Sequence, residues 1–225
     1  MDTRFQRKQA VTTLKQNLIL DAALKVIARD GYINAKLEDI AEEAGFAKAS
    51  LYHYFPDKES IVLKLILREQ ASVIDQCDVI VSRESPFSEK LKSIMMIFFH
   101  KLRSHAQVAN ALGVATPSGL SNFAGMVAKH SELFESVQKN KDEVTGRIRE
   151  LIQSAVESEI LDAPLDVNSI CTYVMAAVHS MFMEAYQYGV ENYDFEEAVE
   201  KFFIFLSPWI KEETDVSPAG GQHEQ

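Results

Sequence analysis

Residues 37–58 read LEDIAEEAGFAKASLYHYFPDK. The first part is a short amphipathic helix, with Leu37, Ile40, Ala41 and Ala44 apolar and Glu38, Asp39, Glu42 and Glu43 on the other face. Gly45 stops it, and a second short helix runs from Lys48 to Tyr54. Pro56 breaks the chain and Asp57 caps the next helix. Two short helices around a glycine turn are the pattern of a helix-turn-helix, with Ala41 small enough to let Leu51 approach at the crossing. The second helix crowds Lys48, Ser50, Tyr52, His53 and Tyr54 into seven positions. Phosphate donors around small polar residues are what a helix lying in a major groove needs. A plain helical hairpin with two surface tyrosines is the competing interpretation.

The remaining elements also read as helices. Leu14, Leu18, Ile19, Ala22, Ala23, Val26 and Ile27 make one apolar face ending near Gly31. A long helix covers 58–81, and Ser85-Pro86 opens another bearing Leu91, Ile94, Met95, Phe98, Phe99 and Leu102. Short helices and bends are expected over 106–129, then long helices over 133–159 and 167–188. Asp194-Phe-Glu-Glu197 resembles a capping box and opens a last helix to about Lys211. The fold expected is all-α, with about nine helices. A three-helix head (1–57) stands on a larger helical domain (58–213), followed by a disordered tail (214–225) rich in Gly, Ser, Pro and Gln.

Charge is unevenly spread. The net charge is −10, yet residues 1–58 hold nine Lys/Arg against eight Asp/Glu, and the remainder carries a net −11. A near-neutral head can bind phosphates when its cations share a face. No stretch is long and apolar enough to span a bilayer, and the polar start with Arg4, Arg7 and Lys8 lacks a signal-peptide core. Two cysteines, Cys77 and Cys171, make no disulfide framework. The expectation is a cytoplasmic protein with no membrane partner. No nucleophile motif, phosphate-cradling glycine loop or paired His/Cys metal spacing occurs, so neither enzyme, cofactor nor metal is expected.

The full string resembles the tetracycline-repressor (TetR/AcrR) family. The pattern is I-A-x-x-A-G, then K-G-x-L-Y-x-[HY]-F, then x-x-K-E. It falls here on Ile40, Ala41, Ala44, Gly45, Lys48, Ala49, Ser50, Leu51, Tyr52, His53, Tyr54, Phe55, Lys58 and Glu59, after Asp30-Gly31-Tyr32. The motif covers about the first quarter of the chain. The resemblance implies that Lys48, Tyr52, Tyr54 and Lys58 contact phosphates while Ala49, Ser50 and His53 face bases. Ala47 stands where the family often has serine, and Ala35, Lys36 and Leu37 where it often has threonine. Lys36 is expected to replace one hydroxyl with a charged contact, and Asn34 to supply the cap. The family's usual glycine is Ala49, whose methyl can touch thymine. The function implied is a repressor that binds an inverted-repeat operator in double-stranded DNA and leaves it when a small hydrophobic effector binds.

The helix 170–188 is apolar nearly all round, which buries it on two sides. One side suits the chain's own core and the other a second copy. Val174, Met181, Val199, Phe202, Phe203 and Leu206 are the expected homodimer interface, with a large monomeric core as the alternative. Met95, Met96, Phe98, Phe99, Met175 and Phe182 would line an adaptable apolar pocket, with His100, His130 and His179 as its polar candidates. A plain core explains any one of these residues equally well.

Overall fold

The computed structural model describes residues 3–104, 125 and 128–211. Eight α-helices and one 3-10 turn occur among them: α1 Thr3–Asp30, α2 Leu37–Glu43, α3 Lys48–Tyr54, α4 Lys58–Val81, α5 Phe87–Ser104, α6 Ser131–Glu157, α7 Val167–Tyr188, α8 Phe195–Leu206, and the turn Ser207–Trp209. The all-α expectation holds. Most of the bends expected over 106–129, and the tail 214–225, lie outside the described residues.

Two apolar cores organise the chain. The head core gathers Ile19, Ala23, Val26 and Ile27 of α1, Ile40 of α2, Leu51 of α3, and Phe55. It also takes Ile61, Val62 and Leu65 from the first turns of α4, so it extends past the boundary expected at residue 57. Farther along, α4 gives Val73, Cys77 and Ile80 to the second core, beside Leu91, Phe99, Ile148, Ile152, Val174 and Val199. One continuous helix thus belongs to both cores, which makes α4 the strut between them. Burial in the second core pushes the Cys77 thiol up to about 11.

Local chemistry fixes the ends. At the α2–α3 turn Gly45 takes φ +71°, the Gly45 amide donates to Glu42 O and the Phe46 amide to Ala41 O. This is a Schellman closure, which needs the left-handed conformation that glycine adopts at least cost. Asp57 caps α4 through the Ser60 amide at 2.8 Å, and Asp194 caps α8 through the Glu197 amide at 2.9 Å. The last helix stops at Leu206, short of the Lys211 expected. Pro208 brings no amide hydrogen and the chain tightens into the 3-10 turn. Beyond it Ile210 forms an isolated antiparallel bridge with Leu161.

The first helix departs most from expectation. It begins at Thr3, and Leu14 and Leu18 are 61 % and 48 % exposed, so its buried face starts only at Ile19. The apolar period runs on past the last residue that has a neighbour to pack against.

Candidate nucleic-acid interface and sensor cavity

Of the seven residues of α3 only Leu51 is buried, and Tyr54 is half-buried. Lys48, Ala49, Ser50, Tyr52 and His53 all face solvent. One anchoring leucine therefore holds a helix whose whole outer surface is available. Ala47 occupies the N-cap and offers no side-chain hydrogen bond. The Lys48 ammonium is paired with Glu38 at the start of α2 and stands 6.0 Å from the Tyr52 ring. A phosphate arriving at Lys48 would compete with an exposed carboxylate, a weak rival in water. Tyr54 packs edge-on against Phe46 and His53, and Lys15 of α1 lies 6.0 Å from its ring. Lys36 is exposed at the N-cap of α2 without a side-chain cap bond. Asn34 does not cap α2 either: its amide donates back to Asp30 O, closing the end of α1.

Lys58 is placed otherwise than expected. Its ammonium donates to Tyr32 O, to Ala35 O at 2.9 Å and to Ile33 O at 3.3 Å, and stands 4.4 Å from the Tyr32 ring. Partial burial lowers its pKa, and burial pushes the Tyr32 phenol up to about 12. Three carbonyls of the α1–α2 loop thus hold the ammonium, and the loop conformation brings them together in a way that no local sequence pattern encodes.

His130, expected in the pocket, lies instead at the foot of α4. Its Nε2 is 3.0 Å from the Asp57 carboxylate, and Lys129 Nζ is 2.9 Å from Asp57 and 3.6 Å from Glu59. Ligand atoms of Asp57, Glu59 and His130 all lie within 4.8 Å of one another, but the Lys129 ammonium already supplies a cation to both carboxylates. Burial acts to raise the Asp57 pKa. Hydrogen bonds from Lys129 and the Ser60 amide, with the neighbouring charges, outweigh it and hold the carboxyl below its usual value. A depressed carboxyl stabilises the fold above its unfolded pKa, and that contribution disappears as pH falls through the lower folded value. Asp57→Asn keeps the cap but not the charge. It should cost roughly 1 kcal/mol at pH 7, with the gap to wild type closing below about pH 4, as read by thermal melts across pH 3–7.

In the second core Phe99 meets Phe182 edge-on at 5.4 Å and stacks on Phe195 at 4.5 Å. A cavity of about 410 Å³ opens beside them, lined by Met96, Phe99, His100, Arg103, Tyr193 and Phe195 among others. Of the expected ligand set, Met96, Phe99 and His100 reach it. Met95 is sealed in the core, Phe98, Met175 and Phe182 are half-buried around it, and His179 faces solvent. Arg103 and Tyr193 carry no sequence signal of their own, and Phe195, inside the capping segment 194–197, is legible as the start of α8 but not as a neighbour of Phe99.

The expected dimer set divides. Val174, Met181, Val199 and Leu206 point into the chain's own core, while Phe202 and Phe203 are half-buried. The large apolar residues left outside on these helices are Tyr173 (61 %), Ile204 (72 %) and Phe205 (65 %), with Met183 and Tyr188. Periodicity shows that both helices are apolar on two sides but not which side each neighbour takes. A groove of about 620 Å³ runs between α7 and α8, bounded by Ala177, Ser180, Tyr188, Lys201 and Phe202 among others.

Residues 19–65 match the family model of the bacterial regulatory proteins of the tetR family. Over those residues the head of this chain is similar to that family. The matched residues coincide with the head core, from Ile19 to Leu65. The fatty acid metabolism regulator protein of Bacillus subtilis is 31 % identical over 91 residues, 40 % of this chain and 47 % of that protein. The chain therefore spans about half the length of such curated relatives, or less. Whole-chain likeness is clearest in solved structures. A fatty acid degradation regulator from Bacillus halodurans has a TM-score of 0.66 at 22 % identity, covering 85 % of this chain and 94 % of that one. FadR from Bacillus subtilis in complex with stearoyl-CoA has 0.65 at 19 %, covering 86 % and 98 %. At such identities the likeness establishes the shared fold.

Proposed function

We propose that this chain is a homodimeric transcription repressor that binds an inverted-repeat operator through α3 and is released by a small hydrophobic effector. The observation that carries the reading is α3 itself: a helix buried at Leu51 and half-buried at Tyr54, with Lys48, Ala49, Ser50, Tyr52 and His53 outward. In this reading Lys48, Tyr52 and Tyr54 hold phosphates, Lys36 is a further cation beside α2, and Ala49, Ser50 and His53 face base edges. Two such heads reach successive major grooves when about 34–36 Å apart. The exposed apolar face of α7 and α8 supplies the second copy's seat.

The effector enters beside Phe99, Phe182 and Phe195, where the cavity volume lies within the range of small-molecule sites. The Bacillus subtilis FadR structure holds stearoyl-CoA, and here Met96, Phe99 and Phe195 offer an acyl chain the apolar side of a cavity whose other side is polar, with His100, Arg103, Glu191, Asp194 and Glu196. Because α4 belongs to both cores, an effector that favours one tilt of α4 changes the spacing of the heads. Asp57 with Lys129 and His130 ties the foot of that helix to the segment before α6.

The test is a salt titration of binding to duplexes from the chain's own upstream region. Lys48→Ala should weaken binding to operator and scrambled DNA alike. It should flatten the slope of log K against log salt by about one unit for each phosphate no longer neutralised. Ser50→Ala should keep the slope and relax preference at one position in each half-site, by roughly 1–3 kcal/mol. Unchanged slope in the first and unchanged preference in the second would remove α3 from the major groove. Acyl-CoAs of stepped chain length that bind yet leave operator affinity unchanged would exclude the acyl class as effector.

A further inference from the structure

The head core uses only the second half of α1, from Ile19 to Ile27, yet the helix begins at Thr3. Residues 3–18 therefore project as about four turns, roughly 24 Å, beyond the last buried residue. They hold Arg4, Arg7, Lys8 and Lys15 and not one acidic residue, in a chain whose net charge is −10. At 3.6 residues per turn these four cations fall within roughly 100° of one another, on a single face. The opposite face is neutral and polar, with Gln6, Gln9, Thr12, Thr13 and Gln16. The charges are placed against the helix's own preference. The first turn carries a cation and no acid where the dipole favours acids, and Arg4 and Lys8 are like charges four apart. Local choices that oppose local stability mark a position kept for a contact outside the chain.

Lys15 fixes where that face points. It stands 6.0 Å from the ring of Tyr54, the last residue of α3, so the cationic face starts beside the C-terminal end of the recognition helix. From Lys15 back to Arg4 the helix rises about 16 Å, close to the length of five base pairs at about 3.4 Å each.

We propose that the first four turns of α1 form a cationic arm that lies along the phosphate backbone of the DNA flanking each half-site. The proposal rests on the reading of α3 as the operator-binding helix. The exposed Val11, Leu14 and Leu18 share the arc with the cations and meet the apolar edges of the deoxyribose rings. The arm is sequence-blind: it lengthens the footprint and steepens the salt dependence without adding base preference.

The experiment uses the full chain and the Arg7→Ala/Lys8→Ala double variant, with operator duplexes carrying flanks of none, about five and about ten base pairs. For wild type, affinity should rise when the flanks are added. For the variant it should not. On the long duplex, removing two phosphate contacts per protomer should flatten the salt slope by about 3.5 units for a dimer. Circular dichroism should show helix content unchanged, and Arg7→Lys/Lys8→Arg should restore both the slope and the flank effect. Equal slopes and equal flank dependence, with operator binding intact, would overturn the arm. So would a double variant that loses only binding to vesicles of anionic lipid, which would make this a membrane-facing helix. Failure of wild type to bind any operator duplex would instead overturn the underlying reading of α3.

Discussion

Replacing Ile204 and Phe205 together by glutamate should convert a dimer of about twice 25.3 kDa into the single chain and lower operator affinity by about 100-fold or more. Both side chains stand mostly in solvent on α8 although they are large and apolar, and Tyr173 and Met183 of α7 are exposed as well. Covering one such side chain is worth roughly 1.5–3 kcal/mol, and an isologous contact counts each residue twice. Two substitutions per protomer therefore remove on the order of 6–12 kcal/mol of association and bring acids into opposition. A single head then holds one half-site without the gain from a linked second site. Ile204 is 72 % exposed, but Phe205 meets Trp209 edge-on at 5.4 Å, so the substituted protomer should lose a little stability of its own while staying folded. Light scattering coupled to gel filtration reads the mass, and fluorescence anisotropy the affinity. A double variant that stays dimeric would move the interface elsewhere. Val174, Met181, Val199 and Leu206 are unsuitable for this test, since each fills the protomer's own core and its removal would confound folding with assembly.

What is legible in the sequence depends on the range of the interaction that decides each feature. The α2–α3 turn is local: the Gly45 and Phe46 amides close it onto carbonyls no more than five positions back, and the spacing of Leu37, Ile40, Ala41 and Leu51 fixes the faces that meet. The caps at Asp57 and Asp194 act over three residues and are equally readable. The sensor half is legible as helices but not as neighbours. Periodicity identifies α7 as apolar on two sides, and only packing against α5 and α6 decides that Val174 turns inward and Tyr173 outward. His130 reaches Asp57 across 73 positions of chain, a contact no spacing pattern announces. The start of α1 misleads for the opposite reason. Leu14 and Leu18 keep the helical period, but the head has ended before them, so the pattern outlasts the core.

Lys58→Met should destabilise the chain by about 2–4 kcal/mol and leave the salt dependence of DNA binding unaltered, the reverse of what a phosphate-binding lysine predicts. The substitution keeps most of the aliphatic stem and deletes the ammonium. Tyr32 O and Ala35 O then lose a donor inside a loop that is only partly buried, so each costs near the lower end of the roughly 1–3 kcal/mol for a buried group left unpaired, about 1–1.5 kcal/mol. The exposed Ile33 O recovers its bond from water. Removing the cation from the Tyr32 ring adds about 0.5–1 kcal/mol. At about 2–4 °C per kcal/mol for a chain of this size, the melting point should fall by roughly 5–15 °C. The α1–α2 loop sets the angle between α1 and the α2–α3 pair, so operator affinity should weaken through geometry, equally at all salt concentrations. Lys48→Ala provides the contrast: an exposed ammonium, little effect on melting, and a flatter salt slope. A Lys58→Met protein with unchanged melting and a slope as flat as that of Lys48→Ala would place the Lys58 ammonium on a phosphate in the complex, drawn out of the loop by the DNA.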